Sequence, residues 1–324
     1  MDWLLKAVTP SEKLLVMVVA IILFSVVMAA ILLLADKLPG RLPAAGFLLP
    51  ALAMLGFGLL YPALRTVRDS FFDKAGHEFV GWSNYAKVLT TPTFQTILLN
   101  TFVWTIIVPV AATLFGLLYA VLVDRTRFEK FAKALVFLPM AISMVGASII
   151  WKFVYEYRPA TAGQTGLLNQ LLVWVGLEPR QFLLHPPWNT FFLIVIMIWI
   201  QTGFAMTILS ASIKAIPDDI IEAAAIDGST GWRTFIYVTV PSIRPALIVV
   251  LTTIAMATLK VFDIVRTATG GQYQTSVIAN EFYTQKFSFN QNGIAATLAV
   301  ILFVLVIPII VYNVHQMRVS ETER

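Results

Sequence analysis

The stretch Ile216–Phe235, IPDDIIEAAAIDGSTGWRTF, is a polar, turn-rich segment between two long apolar runs. Pro217 suits a first helical position, because its fixed φ and missing N–H donor cost nothing there. The two aspartates that follow it lie where the positive end of a helix favours negative charge. Gly228 comes where a helix end favours the left-handed conformation, which glycine adopts at little cost. The pattern therefore predicts a short helix over residues 217–227 that ends at this glycine.

This predicted helix is suited to contact a partner. Ala223, Ala224 and Ala225 leave room for another surface to approach closely. A helix that rests on lipid headgroups is usually rich in lysine and arginine, whereas this one is acidic. An interfacial helix and a protein-docking helix both remain open, and the acidic charge favours a protein partner.

The composition around this segment is that of a membrane protein. Hydrophobic residues make up 58% of the 324 positions and charged residues only 13%, against about 25% charged residues in soluble domains. A span needs about 20 apolar residues, and seven uncharged runs are candidates. They are Leu14–Ala35, Leu42–Leu64, Val88–Val123, Ala134–Trp151, Gln181–Ile213, Pro245–Leu259 and Phe287–Val314. We therefore expect an all-α membrane protein with about seven transmembrane helices.

Charge indicates which polar segments face the cytoplasm, since cytoplasmic loops are enriched in lysine and arginine. Asp124–Lys133, DRTRFEKFAK, has more basic than acidic residues, so we place it in the cytoplasm. Alternation then places residues 214–244 and the tail 319–324 there as well. Residues 1–44 are predicted to hold an N-terminal anchor helix and a cytoplasmic linker, before a transmembrane domain over residues 45–318.

Several functions are disfavoured by what the sequence lacks. It has no cysteine, and His77, His185 and His315 are scattered, so no metal site is expected. No G-x-x-x-x-G-K-[ST] motif occurs that could hold ATP phosphates, and no nucleophile and base form a plausible pair. The net charge of +5 fits cytoplasmic loops and does not indicate nucleic acid. We expect no cofactor and no enzymatic activity, with any ATP hydrolysis on separate chains.

A spaced motif runs through the opening segment and beyond it. Glu222-Ala223-Ala224, Gly228, Val238 and Val240-Pro241 keep the spacing E-A-A-x3-G-x9-I-x-L-P. The segment resembles the EAA loop of binding-protein-dependent ABC importer permeases. The resemblance extends over residues 47–318 and implies a six-helix permease core, to which the N-terminal anchor helix is an addition.

In that family the loop forms a coupling helix that sits in a cleft of the cytoplasmic ATPase. The residues carried over to this contact are Glu222, Ala223, Ala224, Asp227, Gly228 and Pro241. The resemblance implies an ABC ATPase homodimer, a second EAA-loop permease and an extracytoplasmic sugar-binding protein as partners, in a bacterial or archaeal cytoplasmic membrane. We expect Gly228→Asp to break coupling by forcing a bulky side chain into the turn.

Other pieces of the chain resemble the carbohydrate-uptake branch of these permeases. They are YPALRTVRDSFF at 61–72, FVGWSNYAKVL at 79–89, GLLN at 166–169 and FDIVRTATGG at 262–271. WKFVYEYRP at 151–159 indicates the α-glucoside permeases, so the implied substrate is a di- or oligosaccharide. One departure is the outer turn, where the family's T-x-G-G-P reads TGGQY at 269–273, and a different turn shape is expected.

Polar and aromatic residues inside spans tend to line a cavity or contact a partner helix. In the fifth of the seven runs, Trp199, Gln201 and Phe204 interrupt an apolar stretch. An aromatic ring and an amide are suited to hold a sugar, and the resemblance favours this interpretation, with Gln201 first. The alternative is helix packing through Gly203 with an interhelical glutamine bond.

Two further runs supply candidates for the substrate path. In the sixth, Thr258, Lys260 and Asp263 are candidates. Lys260, Asp263 and Arg266 are spaced by three, so they are expected to share one helix face, with Arg266 in an outer salt-bridge strip.

In the fourth run, Pro139 and Gly146 are expected to loosen the backbone. Ser143 and Met144 lie where the maltose-type permeases contact sugar, although simple packing is the commoner role of a methionine.

Two functions from other classes stay open. An ion-coupled secondary transporter needs a buried acid or histidine relay, and the spans offer only Asp263. A membrane scaffold or assembly protein could use the acidic helix to bind a partner without any transport path. The scaffold predicts that Gln201 and Lys260 tolerate alanine with effects on stability alone.

Overall fold

The computed structural model describes residues 9–36, 42–124, 126–159 and 161–322, and these are almost entirely helical. Within those ranges the only β feature is an isolated bridge between Phe72 and Phe79. The chain divides into two compact units, residues 1–68 and 69–324. The all-α prediction is confirmed.

The first unit contains α1 (Pro10–Asp36) and α2 (Leu42–Leu55), and a π-helical turn leads into α3 (Tyr61–Asp69), which crosses the unit boundary. From Leu14 to Leu33 the side chains of α1 are almost all apolar and largely exposed, as Leu14 and Phe24 illustrate. Such a surface suits hydrocarbon and not water. The predicted linker falls partly on residues 37–41, outside the described residues, and the domain limits at 44/45 and 318/319 remain predictions.

The second unit contains the remaining helices. They are α4 (Ser83–Thr90), α5 (Pro92–Val123), α6 (Glu129–Phe137), α7 (Met144–Val154), α8 (Leu167–Trp174), α9 (Trp188–Lys214), α10 (Asp218–Ile226), α11 (Gly231–Thr234), α12 (Val240–Ser242), α13 (Arg244–Leu259), α14 (Asp263–Ala268), α15 (Ile278–Tyr283) and α16 (Asn292–Thr322). A 3₁₀ turn, Leu138–Ala141, extends α6, and π-helical turns over 235–239 and 284–288 follow α11 and α15.

Five helices in the described residues are long and apolar enough to cross a membrane, and two bent helix pairs raise the number to seven if each is one span. The upper number agrees with the seven predicted spans. The first pair bends by 105° between Ala141 and Met144, and the second by 68° between Ser242 and Arg244. Pro139 lies in the 3₁₀ turn before the first bend, as expected of a residue that cannot continue an α-helix.

The core of the second unit forms where α9 packs against α5, with Trp104, Leu193 and Met197 fully buried. The two backbones approach closely at Gly116, where an added Cβ would lie 2.5 Å from the Cβ of Ala205. Such close approach requires glycine, because any larger side chain would separate the helices. This contact fixes α9 in the middle of the unit.

Candidate functional site

The predicted coupling helix is present as α10, Asp218–Ile226, one residue shorter at each end than expected. Pro217 is the N-cap, with an extended ψ of 137°, and not the first helical residue. Gly228 has a φ of +74°, and the N–H of Ser229 donates to the carbonyl of Ala224 at 3.0 Å. The helix and its left-handed glycine stop are thereby confirmed.

The side chains around Glu222 on α10 are exposed. Glu222, Ala223 and Asp227 are exposed, and the Glu222 carboxylate makes no hydrogen bond or ion pair to a described residue. Ile226 is 86% exposed. A free carboxylate next to an exposed apolar side chain and small alanines can be covered by another protein without breaking internal contacts.

A side of α10 that adjoins Glu222 faces a cavity of about 770 Å³. Ile221 and Ala225 line it from α10, while Asp124 and Lys214 line it from the ends of α5 and α9. The helix therefore stands away from the transmembrane bundle, and has space to move against it. Pro241 lies further along, exposed at the start of α12.

The candidate substrate residues on α9 separate into two faces. Successive residues turn by 100°, so Trp199 and Gln201 are about 200° apart, whereas Phe204 lies on the side of Gln201. Trp199 packs edge-on against Trp151 with ring centroids 5.8 Å apart. Gln201 is half-buried, and its amide makes no hydrogen bond to a described residue. Gln201 and Phe204 lie on one side of α9, where Phe204 also packs partly against the main core, and Trp199 lies on a different side.

The alternative interpretation, in which α9 packs against a neighbouring helix through Gly203, is also supported. A Cβ added there would lie 2.5 Å from the backbone oxygen of Val136, so α9 contacts α6 through this glycine. The packing interpretation also predicted an interhelical hydrogen bond from Gln201, and this bond is absent among the described residues. Gly203 therefore packs, while the neighbouring Gln201 keeps its amide free.

Ser143 and Met144 lie at the start of α7, directly after the first bend. The Ser143 hydroxyl accepts a hydrogen bond from the Gly146 N–H at 3.1 Å and so caps the helix. Met144 is half-buried against the main core, as the packing interpretation requires. The expected loosening of the backbone is present at Pro139, whereas Gly146 lies within a regular helix.

The shared helix face of Lys260, Asp263 and Arg266 was predicted wrongly. Helix α13 ends at Leu259, Lys260 lies exposed in the turn, and Asp263 begins a separate helix. The guanidinium of Arg266 lies 4.7 Å from the ring centre of Tyr283, a cation–π contact in place of the expected salt-bridge strip.

Thr258 is fully buried, and its hydroxyl donates to the carbonyl of Ile254 at 2.7 Å. Its polar group is thus bonded within its own helix and cannot contact a substrate in this conformation.

Sequence reasoning missed two asparagines that hold the outer turn. Asn100 on α5 donates to the carbonyls of Gln274 and Ser276, and Asn189 on α9 donates to the carbonyl of Tyr273. Tyr273 and Gln274 both have positive φ, of 55° and 61°, which non-glycine residues rarely adopt. The different turn shape expected at residues 269–273 therefore includes two non-glycine residues with positive φ. The sequence signal that could have located the supporting asparagines was an amide side chain near the outer end of an apolar run.

These features define a class: a multi-pass helical membrane protein with an exposed helix on a loop between two spans. A family model described as "Binding-protein-dependent transport system inner membrane component" matches residues 112–319, and the chain belongs to that family. It is a transport subunit of the inner membrane, and ATP hydrolysis in such ABC importers takes place on a separate subunit.

Two curated relatives are similar over most of the chain. The "Alpha-glucoside transport system permease protein AglF" of Rhizobium meliloti is 47% identical over 270 residues, 83% of this chain and 80% of the relative. The "Osmoprotective compounds uptake permease protein GgtC" of Synechocystis is 46% identical over 278 residues, 86% of this chain and 100% of the relative.

A solved bacterial ABC transporter for import of the acidic polysaccharide alginate contains a chain of the same fold. It matches with a TM-score of 0.72 at 23% identity, over 86% of this chain and 96% of that one.

Proposed function

We propose that this chain is the permease subunit of an ATP-driven importer for a di- or oligosaccharide of the α-glucoside class, in a bacterial or archaeal cytoplasmic membrane. The observation that carries the substrate class is the 47% identity to the α-glucoside permease AglF. A trehalose/maltose permease of Thermococcus litoralis, 31% identical over 288 residues, supports a sugar more broadly. The relative named for osmoprotective compounds favours a second candidate, a small osmoprotective solute.

The assembly follows from where the polar surface lies. Helix α10 offers its exposed Glu222 face to one copy of an ABC ATPase homodimer, and a second EAA-loop permease completes the path. The loaded binding protein docks on the outer side, near the turn held by Asn100 and Asn189. Closure of the ATPases would displace α10 into its 770 Å³ cavity and switch the path between its two openings by rigid-body movement.

The path itself is assigned to Gln201 and Phe204, with contributions from Ser143 and Lys260, which are exposed, and from Asp263, which is partly exposed. An amide without an internal partner can bond sugar hydroxyls, and the neighbouring ring can stack on sugar C–H groups. Trp199, Met144 and Thr258 are assigned to helix packing on their contacts. The proposal places substrate contact on one face of α9.

The first test is purification of the chain from its own membranes in mild detergent, with mass spectrometry of the recovered proteins. A P-loop ATPase, a second EAA-loop permease and a binding protein are expected. The binding protein is then screened against α-glucosides and osmoprotective solutes by calorimetry. Recovery of the intact chain without any ATPase, even after crosslinking at Glu222, contradicts the proposal and favours the scaffold.

The path is tested by Gln201→Ala in the reconstituted importer. Uptake should fall or change its substrate preference, while the loaded binding protein still stimulates ATP hydrolysis. Thr202→Val is the matched control, because the Thr202 hydroxyl already donates to the Ile198 carbonyl of its own helix. Equal effects of the two variants on uptake contradict a cavity role for Gln201.

A further inference from the structure

A cluster of charged side chains joins the cytoplasmic ends of three helices. Glu129 on α6 accepts a hydrogen bond at 2.6 Å from Lys133, one turn along the same helix. It also accepts one from Lys214, the last residue of α9. Lys133 donates in turn to the Ser210 hydroxyl on α9 at 2.5 Å, and Asp124 caps the end of α5 beside them. The cluster therefore ties α5, α6 and α9 together.

Asp124 is the unsatisfied member of this cluster. Its Oδ1 is buried and makes no hydrogen bond, although the Nζ of Lys214 lies 3.3 Å away and that of Lys133 lies 3.8 Å away. Both are ion-pair contacts, and both are longer than the contacts that Lys133 and Lys214 make with Glu129. A poorly bonded buried carboxylate oxygen is costly, so a second arrangement in which Lys214 moves closer to Asp124 offsets part of what it loses at Glu129.

The position of Lys214 connects this choice to the coupling helix. Only Ala215, Ile216 and Pro217 separate Lys214 from α10. Asp124 and Lys214 line the same 770 Å³ cavity as Ile221 and Ala225 of α10. A displacement of α10 into that space therefore pulls directly on the backbone that carries the Lys214 ammonium.

We infer that Lys214 is a positioning residue that exchanges its hydrogen bond between Glu129 and Asp124 when α10 moves. The two carboxylates then select between two arrangements of the cytoplasmic ends of α5, α6 and α9. The inference rests on the proposed coupling role of α10. It does not depend on which solute is carried, because the exchange takes place within this chain.

Two near-isosteric variants separate such a switch from a merely structural ion pair. Glu129→Gln weakens the arrangement seen here, and Asp124→Asn weakens the alternative. In the assembled importer in lipid nanodiscs, ATP hydrolysis without binding protein should change in opposite directions in the two variants, by about two- to fivefold each, as expected for partly exposed ion pairs. A structural ion pair would give losses in the same direction, together with a lower melting temperature.

The matched control is Lys130→Gln. Lys130 lines the groove beside Lys133 and Lys214, but makes no ion pair in the described part of the chain. Its hydrolysis rate should stay within the error of the unmodified importer. Changes of the same sign in Glu129→Gln and Asp124→Asn, or changes no larger than in this control, overturn the inference.

A distance measurement tests the switch without ATP hydrolysis. Because the chain has no cysteine, spin labels can be placed at Val121→Cys and Ser229→Cys, which line the cavity from α5 and from the coupling loop. The two charge variants should shift the distance distribution in opposite directions, and unchanged distributions overturn the inference. If the unmodified importer hydrolyses no ATP, the proposed function is contradicted. The inference about Lys214 is then tested by the spin-label distances alone.

Discussion

Substitutions at Gly228 test whether the turn after α10 needs glycine for its backbone or for space. Its φ is +74°, and a Cβ added there would meet no described atom within 4 Å. The bulk invoked for Gly228→Asp from sequence is therefore not the main cost inside this chain. What remains is the left-handed conformation, which costs an L-residue about 1–2 kcal/mol. Asparagine pays less, because its short polar side chain tolerates that region.

We expect coupling to fall in the order glycine, asparagine, alanine, valine. A penalty of about 1 kcal/mol lowers the equilibrium constant for forming the native turn about fivefold in Gly228→Ala, and β-branched valine costs more. The assay is ATP-driven uptake divided by ATP hydrolysis in the reconstituted importer. Gly231→Ala is the control, because Gly231 also has open space but has no positive φ.

The order of alanine and asparagine is the critical result. If contact with the ATPase limits side-chain size, the smaller alanine is tolerated better than asparagine. If backbone strain dominates, asparagine is tolerated better than alanine. Better coupling in Gly228→Ala than in Gly228→Asn, or equal damage from Gly231→Ala, refutes the strain argument.

Three further predictions follow from contacts in the second unit. Gly203→Ala should lower the melting temperature, since its Cβ would lie 2.5 Å from the Val136 oxygen and such overpacking costs about 1–3 kcal/mol; Gly163→Ala, with open space, should not. Thr258→Val should keep uptake unchanged, because that hydroxyl is bonded within its own helix; lost uptake at normal expression would return it to the path. The Asp73 carboxylate accepts from two backbone N–H groups, which lower its pKa below the usual 3.8. The contribution of this carboxylate to the stability of the 73–78 turn is complete above its usual pKa of 3.8 and is lost as pH falls through the lowered pKa. Protection of the turn's amides from hydrogen exchange should therefore be lost only in that acid range. In Asp73→Ala, the protection of these amides should show no such dependence on pH.

The sequence contained the information for α10 because its determinants are local. A proline, first-turn acids and a left-handed glycine act within one or two turns, and the helix ends within a residue of the prediction. The face proposed for Lys260 and Arg266 failed for the opposite reason. Extrapolating α-helical spacing assumes a continuous helix, and the break after Leu259 leaves no strong local mark such as proline.

Substrate-path residues were harder to predict, because periodicity within one helix cannot tell which neighbour each face meets. Trp199 and Gln201 looked equivalent as polar or aromatic interruptions of one apolar run. Their different roles became visible only when α7 brought Trp151 against one of them. The charge cluster was missed in the same way, because Glu129 and Lys214 are 85 positions apart in sequence.

Helix α9 connects the charge cluster at Lys214 to the proposed substrate residue Gln201 without a break. Among the described candidate spans of the second unit, α5 and α16 contain internal prolines and the two helix pairs are bent, whereas α9 has neither proline nor break over its 27 residues. Gln201 and Lys214 are 13 residues apart on it, about 20 Å along the axis. Because α9 lacks the proline or break that would place a sharp kink in it, a displacement imposed at Lys214 by α10, as we propose, would reach Gln201 as a rigid-body movement. The glycines Gly116 and Gly203 mark where α9 packs most closely against α5 and α6.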